Sequence, residues 1–212
     1  MEREGDRVLE TAAPEALERL LEGNRRFASG MRNADSLSSR RAELVTGQAP
    51  FAIVLGCSDS RVPAELVFDQ GLGDLFVIRV AGNVVAPSQI GSVEFAAERF
   101  GTRLVVVLGH SQCGAVLATL EELRRPDNTP SRNLRSIVNR IRPAVEGLLA
   151  TDPGRDRETL VSEAVRANVR FAVNQLRHGS DVLEQLIERD GLLVVGAEYS
   201  LESGLVRVLD GV

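Results

Sequence analysis

Four stretches of the chain are almost free of polar residues, and each has the length of a strand. Phe51-Ala52-Ile53-Val54-Leu55-Gly56 is unbroken, the pattern of a strand buried on both faces rather than one. Leu75-Phe76-Val77-Ile78-Arg79-Val80, Arg103-Leu104-Val105-Val106-Val107-Leu108-Gly109 and Leu192-Leu193-Val194-Val195-Gly196-Ala197-Glu198 repeat it. A shorter run, Leu205-Val206-Arg207-Val208-Leu209, follows a turn at 200–204 and predicts an antiparallel edge strand.

Between these runs the apolar period changes from continuous to helical. Leu17, Leu20, Leu21, Asn24 and Phe27 share one helical face, with Pro14 near the start and Gly30 as the stop. Pro63 opens a short helix to Phe68. Ser88 is expected to cap a helix that ends at Gly101, and further helices are predicted over 114–123, 131–149, 158–177 and 181–189. Pro143 should bend or interrupt the second of these, 131–149. Residues 31–48 read as a polar linker with a helical piece at 39–46, and 124–130 as a loop. Strands alternating with helices predict an α/β fold. Its mostly parallel central sheet is flanked by helices, with an antiparallel edge strand near the C-terminus and an N-terminal helical extension. An amphipathic helix ahead of the domain needs a surface to cover, on its own domain or on a second subunit. Residues 1–48 are expected to form an arm on a partner subunit, and residues 49–212 the α/β domain.

Composition narrows the partners. Of 212 residues, 43% are hydrophobic and 26% charged, as in ordinary globular domains. A net charge of −5 gives no basic footprint for nucleic acid and suits solubility better than an anionic membrane surface. With no Trp and one Tyr, a platform for stacking bases is not expected. Met1 to Asp6 lack the apolar core of a signal peptide, and no apolar run has the length of a membrane span. We therefore expect a cytoplasmic protein with neither nucleic acid nor membrane as partner.

The chemistry concentrates in two places. The chain has two cysteines and two histidines. Both cysteines and one histidine fall in Cys57-Ser58-Asp59-Ser60-Arg61 and His110-Ser111-Gln112-Cys113. Cys57 ends the first buried strand, His110 ends the third, and Cys113 falls on the first turn of the next helix, whose positive end favours a thiolate. Ligands bind outside the carboxyl ends of parallel strands, so both motifs lie on the functional edge. Two thiols and an imidazole suit zinc. The fourth position is left to a carboxylate such as Asp59 or to water, and an exchangeable fourth position marks a catalytic zinc. A simple disulfide would leave the His-x-x-Cys spacing without purpose. A phosphatase or sulfurtransferase with Cys57 as nucleophile is disfavoured, because three residues before Arg61 are too few for a phosphate-cradling loop. The plainer readings are buried thiols packed as small hydrophobes, a structural Asp59–Arg61 ion pair, and His178 as a helix-end residue.

Cys57-x-Asp59-Ser60-Arg61 followed by His110-x-x-Cys113 resembles the signature of the β-class carbonic anhydrases. The likeness runs from about Leu17 to Leu209 and includes 20–27, 47–50 and 68–74. The resemblance implies one zinc ion per chain, Zn2+, held by Cys57, His110 and Cys113. Asp59 would occupy the fourth position in a resting form. In the active form Asp59 would pair with Arg61 and water or hydroxide would take its place. The implied reaction is reversible hydration of carbon dioxide to bicarbonate and a proton by zinc-hydroxide attack. Gln48, nine residues before Cys57, matches a glutamine that one group of the family contributes across a dimer interface. Phe76 and Phe95, by the same matching, would line the carbon dioxide pocket, although many relatives carry tyrosine at Phe95. Plant-type members read Arg-Asn-Val-Ala-Asn where this chain reads Arg79-Val80-Ala81-Gly82-Asn83. On residues alone, Gln48 is a solvated loop residue and Phe76 and Phe95 are core. The implied assembly is a homodimer or homotetramer. Alternatives on the same site are a carbon disulfide or carbonyl sulfide hydrolase, and a non-catalytic zinc- or bicarbonate-binding protein. The presence of both Asp59 and Arg61 argues against the last.

Overall fold

A computed structural model describes residues 12–31, 41–125, 131–151 and 156–209. The sheet is built from β1 (Ala52–Gly56), β2 (Leu75–Arg79), β3 (Leu104–His110), β4 (Leu193–Tyr199) and β5 (Val206–Val208), in the order β2-β1-β3-β4-β5. The first four pair in parallel, and β5 is antiparallel to β4, as the apolar runs predict.

Alternation within the strands sorts the core into two layers. Ile53, Leu55, Val105, Val107 and Val194 pack with residues of α3 (Pro87–Arg99), α6 (Arg157–His178) and α7 (Asp181–Arg189). Val54, Val106, Leu108, Val195 and Ala197 pack instead with α1 (Ala13–Ala28) and α2 (Ala64–Val67). Helices on both faces explain why β1 and β3 are apolar up to His110: every position of both strands is buried. Each fully buried Val, Leu or Ile contributes roughly 1.5–3 kcal/mol from removal of apolar surface from water. A third cluster, of Val116, Leu120, Ile141, Val145, Leu160 and Ala164, joins α4 (Gly114–Arg124), α5 (Arg132–Thr151) and α6. Cys57 and Cys113 belong to it, so the two thiols rest on an apolar floor.

The leading helix docks on the described domain of its own chain. Ala13, Ala16, Leu20, Gly23 and Asn24 are its buried positions. Asn24 Nδ2 donates to the carbonyls of Val67 (3.1 Å) and Gly204 (2.9 Å), and its Oδ1 accepts the Val206 N–H (2.7 Å). A Cβ on Gly23 would meet the Phe68 carbonyl oxygen at 1.8 Å, so the helix lies against that loop only because Gly23 has no side chain.

Several local expectations change. Ser88 is not the cap of α3. Pro87 occupies the first turn behind Ala86, and the Ser88 hydroxyl bonds Gln89 Oε1 instead. Proline's fixed φ and missing N–H suit that first position, so it displaces the serine. α5 runs through Pro143 as one helix, with Ile141 and Val145 buried on either side of it. Of the piece expected at 39–46, Glu43–Thr46 is a single 3-10 turn, while residues 39–40 lie outside the described residues, as do 1–11 and 126–130. Among the described residues, no helix is long and apolar enough to cross a membrane.

Candidate metal centre

β1 and β3 are neighbours, with Gly56 opposite Leu108, so their carboxyl ends emerge together. The residue after β1 is Cys57, and the last residue of β3 is His110. Ser111 and Gln112 then turn the chain back. Gln112 does so at φ +57°, a left-handed conformation unusual for a residue with a side chain. That turn delivers Cys113 as the N-cap of α4, one residue ahead of the first turn where the sequence had placed it. The Cys57, His110 and Cys113 ligand atoms lie within 4.8 Å of one another, and no other such group occurs among the described residues. Around a tetrahedral zinc, with bonds of about 2.0 Å to nitrogen and 2.3 Å to sulfur, ligand atoms sit roughly 3.5 Å apart, so modest contraction suffices.

Donor chemistry agrees with the spacing. His110 Nδ1 lies 2.8 Å from the Ser111 carbonyl oxygen. A carbonyl only accepts, so Nδ1 carries the proton and Nε2 presents its lone pair. The ring is 0% exposed, and Nε2 has no hydrogen-bond partner. A buried polar atom left so costs about 1–3 kcal/mol, and a metal ion satisfies it.

The two sulfurs are electrostatically unequal. The hydrogen bond from Cys113 lowers the Cys57 pKa to about 4, with burial opposing and with help from His110 and the Gly82 N–H. That N–H donates to Cys57 Sγ at 3.3 Å. The same bond to the Cys57 anion, with burial, pushes the Cys113 thiol far up. As a pair the sulfurs hold one proton, which a bound dication displaces. At His110, burial opposes a charged ring, but the Cys57 sulfur and the Ser111 carbonyl outweigh it and raise the pKa.

Asp59 lies beside this group and is held by Arg61. Nε donates to Oδ1 at 2.9 Å, Nη2 to Oδ2 at 2.7 Å, and the Arg61 backbone N–H to Oδ1 at 3.0 Å. The fork keeps the carboxyl well below the usual carboxylate range. Oδ2 is nevertheless 3.8 Å from His110 Nε2. A planar fork of this kind fixes both carboxylate oxygens, which a lysine cannot do.

Gln48, Phe76 and Phe95 are elsewhere. Gln48 is exposed and lines a cleft of about 630 Å³ with Arg41, Val45, Leu72 and Phe100. The rings of Phe76 and Phe95 are 6.2 Å apart, and Phe95 meets Phe100 edge-on at 5.7 Å. Phe76 packs against the cluster containing Leu55, not the one containing the cysteines. His178, on its helix end, has Nδ1 3.8 Å from Glu184 Oε1.

Reasoning from sequence missed three supports. Gly82 donates to Cys57; Asn168 Nδ2 donates to the Gly82 carbonyl at 2.9 Å; and Arg79 donates to the carbonyls of Cys57 (3.1 Å) and Asp59 (2.6 Å). Arg79 and Gly82 stood in a segment already aligned to the family pattern, which was the available signal. Nothing in the sequence marked Asn168.

The sequence model of the family described as "Carbonic anhydrase" matches residues 52–206. The chain belongs to the carbonic anhydrase family. It is 41% identical over 193 residues to "Carbonic anhydrase 2" of Mycobacterium tuberculosis, with 90% of each chain covered. It is 42% identical over 190 residues to a carbonic anhydrase of Mycolicibacterium smegmatis, with 89% of each covered. Two solved β-carbonic anhydrases assign this carbonic anhydrase to the β class. CafA of Aspergillus fumigatus superimposes with a TM-score of 0.73 at 28% identity, covering 92% of this chain and 91% of that one. The Coccomyxa enzyme, solved in complex with acetazolamide, gives 0.72 at 27%, covering 91% and 86%.

Proposed function

We propose that this β-class carbonic anhydrase interconverts carbon dioxide and water with bicarbonate and a proton, using one zinc ion held by Cys57, His110 and Cys113. The observation that carries this reading is the buried His110 Nε2, unpartnered and facing two thiols at the carboxyl edge of the sheet. Bound there, zinc supplies a Lewis acid that makes water a nucleophile near neutral pH. Everything else falls to the chain. Two thiolates and a neutral imidazole balance the cation's charge. Asp59, whose pKa the Arg61 fork depresses, accepts a hydrogen bond from the water and so orients its lone pair toward carbon. Arg61 keeps that carboxylate in place and adds positive charge where bicarbonate develops.

The substrate pocket is completed by a second copy of the chain. Phe95 is 53% exposed and Val45 83%, with Leu72 and Gln48 also exposed on the same side, an unusual accumulation of apolar surface that no other element covers among the described residues. A homodimer that buries this side brings Gln48 and the aromatic rings to the pocket of its partner. Two free cysteine thiols suit a reducing cytoplasm.

The direct test is zinc content together with stopped-flow hydration of carbon dioxide, on wild type and Asp59→Asn. One zinc per chain in both, with turnover reduced about 10–100-fold in the variant, supports the reading. Turnover by zinc-free protein would overturn it.

A further inference from the structure

We infer that Asn168, a residue of α6 far from the ligands in sequence, is a positioning residue for the metal centre, acting through Gly82 on the Cys57 sulfur. This deepens the zinc reading and rests on it. Cys57 Sγ accepts a backbone N–H from Gly82 at 3.3 Å, and both groups are buried. A hydrogen bond to a thiolate draws electron density from sulfur. It offsets part of the donation by which two thiolates would otherwise make the metal a weak Lewis acid. The direction of that N–H depends on an unusual backbone. Gly82 sits at φ +71°, and a Cβ there would meet Ile141 Cδ1 at 2.8 Å and Ala115 Cβ at 2.9 Å. The left-handed conformation favours glycine and the packing excludes anything larger, but neither selects which way the flanking peptide turns. Asn168 does. Its Nδ2 donates to the Gly82 carbonyl oxygen at 2.9 Å, which pins the next peptide plane and with it the glycine.

The setting of Asn168 makes a purely solvating role unnecessary. It is 2% exposed on a helical face whose neighbours Val161, Ala164, Val165, Val169 and Ala172 are buried and apolar. An apolar residue would satisfy the packing of that face. The amide is there for its reach across to the loop. Asn83, next along that loop, is 1% exposed at φ +45°, so the segment under Cys57 carries two successive left-handed residues that need a tether.

Asn168→Leu and Asn168→Asp both remove the donor to Gly82, one with an apolar and one with an anionic group of similar size. Val173→Ala, a buried change farther along α6, is the control for lost stability. Two readouts separate positioning from packing: zinc affinity by chelator competition, and the thiolate-to-metal charge-transfer band of cobalt-substituted protein. Both Asn168 variants should bind zinc about 10-fold more weakly and move the band to longer wavelength, while Val173→Ala moves neither. Unchanged affinity and band in folded Asn168 variants would overturn the inference and leave the zinc reading intact. A wild type that binds no zinc would remove both. Should neither variant fold, wild-type protein loaded with cadmium-113 decides. A scalar coupling between the metal and the Gly82 amide proton is expected, and its absence overturns the inference.

Discussion

The two halves of the active site differ in how much of themselves the single chain supplies. On the metal side every group is buried or tethered: Cys57, His110 and Cys113 are almost inaccessible, and Asp59, the Ser111 carbonyl and Gly82 each have a defined partner. On the proposed substrate side Gln48 and Phe95 are exposed. The difference teaches that rigidity is placed where a cation must be held against its own hydration. On the proposed reading, the recognition of a small apolar molecule is left to surfaces that meet on assembly.

The contrast can be broken most severely on the metal side. Cys113→Ser should lose zinc on dialysis and lower kcat by at least about 100-fold, checked by metal analysis beside stopped-flow rates. Arg61→Lys keeps the charge but not the fork. It should retain zinc and lose about 10–100-fold in turnover, so equal turnover would show that Asp59 needs no fixed geometry. On the other side the effects are smaller and tied to assembly. Gln48→Ala should lower kcat/KM near 10-fold, about the worth of one hydrogen bond to substrate, without changing zinc content. Phe95→Glu should shift sedimentation toward monomer, and a monomer with full activity would refute a shared pocket. The smallest effect is on stability. With the Asp59 pKa depressed in the fold, its pair with Arg61 stabilises above the unfolded value near 4 and is lost as pH falls through the folded value. In metal-stripped protein, Asp59→Asn should therefore lower the urea midpoint at pH 7, and only slightly because Arg61 is exposed to solvent that screens the pair. The gap between variant and wild type should close below about pH 4.

Much of this was legible in the residues. Unbroken apolar runs mark strands that are covered on both sides, and the sheet follows from them. The ligands stood out because cysteine and histidine are so scarce here that Cys57, His110 and Cys113 had few rivals. The supports were harder to see. A backbone N–H such as that of Gly82 has no letter of its own, and Asn168 shows its purpose only once α6 is laid against the sheet. Ser88 misled because a good capping residue lost its position to the proline beside it. Gln48 and Phe95 were singled out only through family resemblance, since the roles proposed for them depend on a second chain that no local pattern encodes.

Asn24 has a consequence for the order of events at synthesis. Its side chain binds Val67 on one side and Gly204 and Val206 on the other, spanning separations of 43, 180 and 182 residues. α1 therefore cannot finish docking until β5 has left the ribosome. Until then its apolar face has only part of its seat, and the nascent chain must keep α1 available while the residues between it and β5 are made.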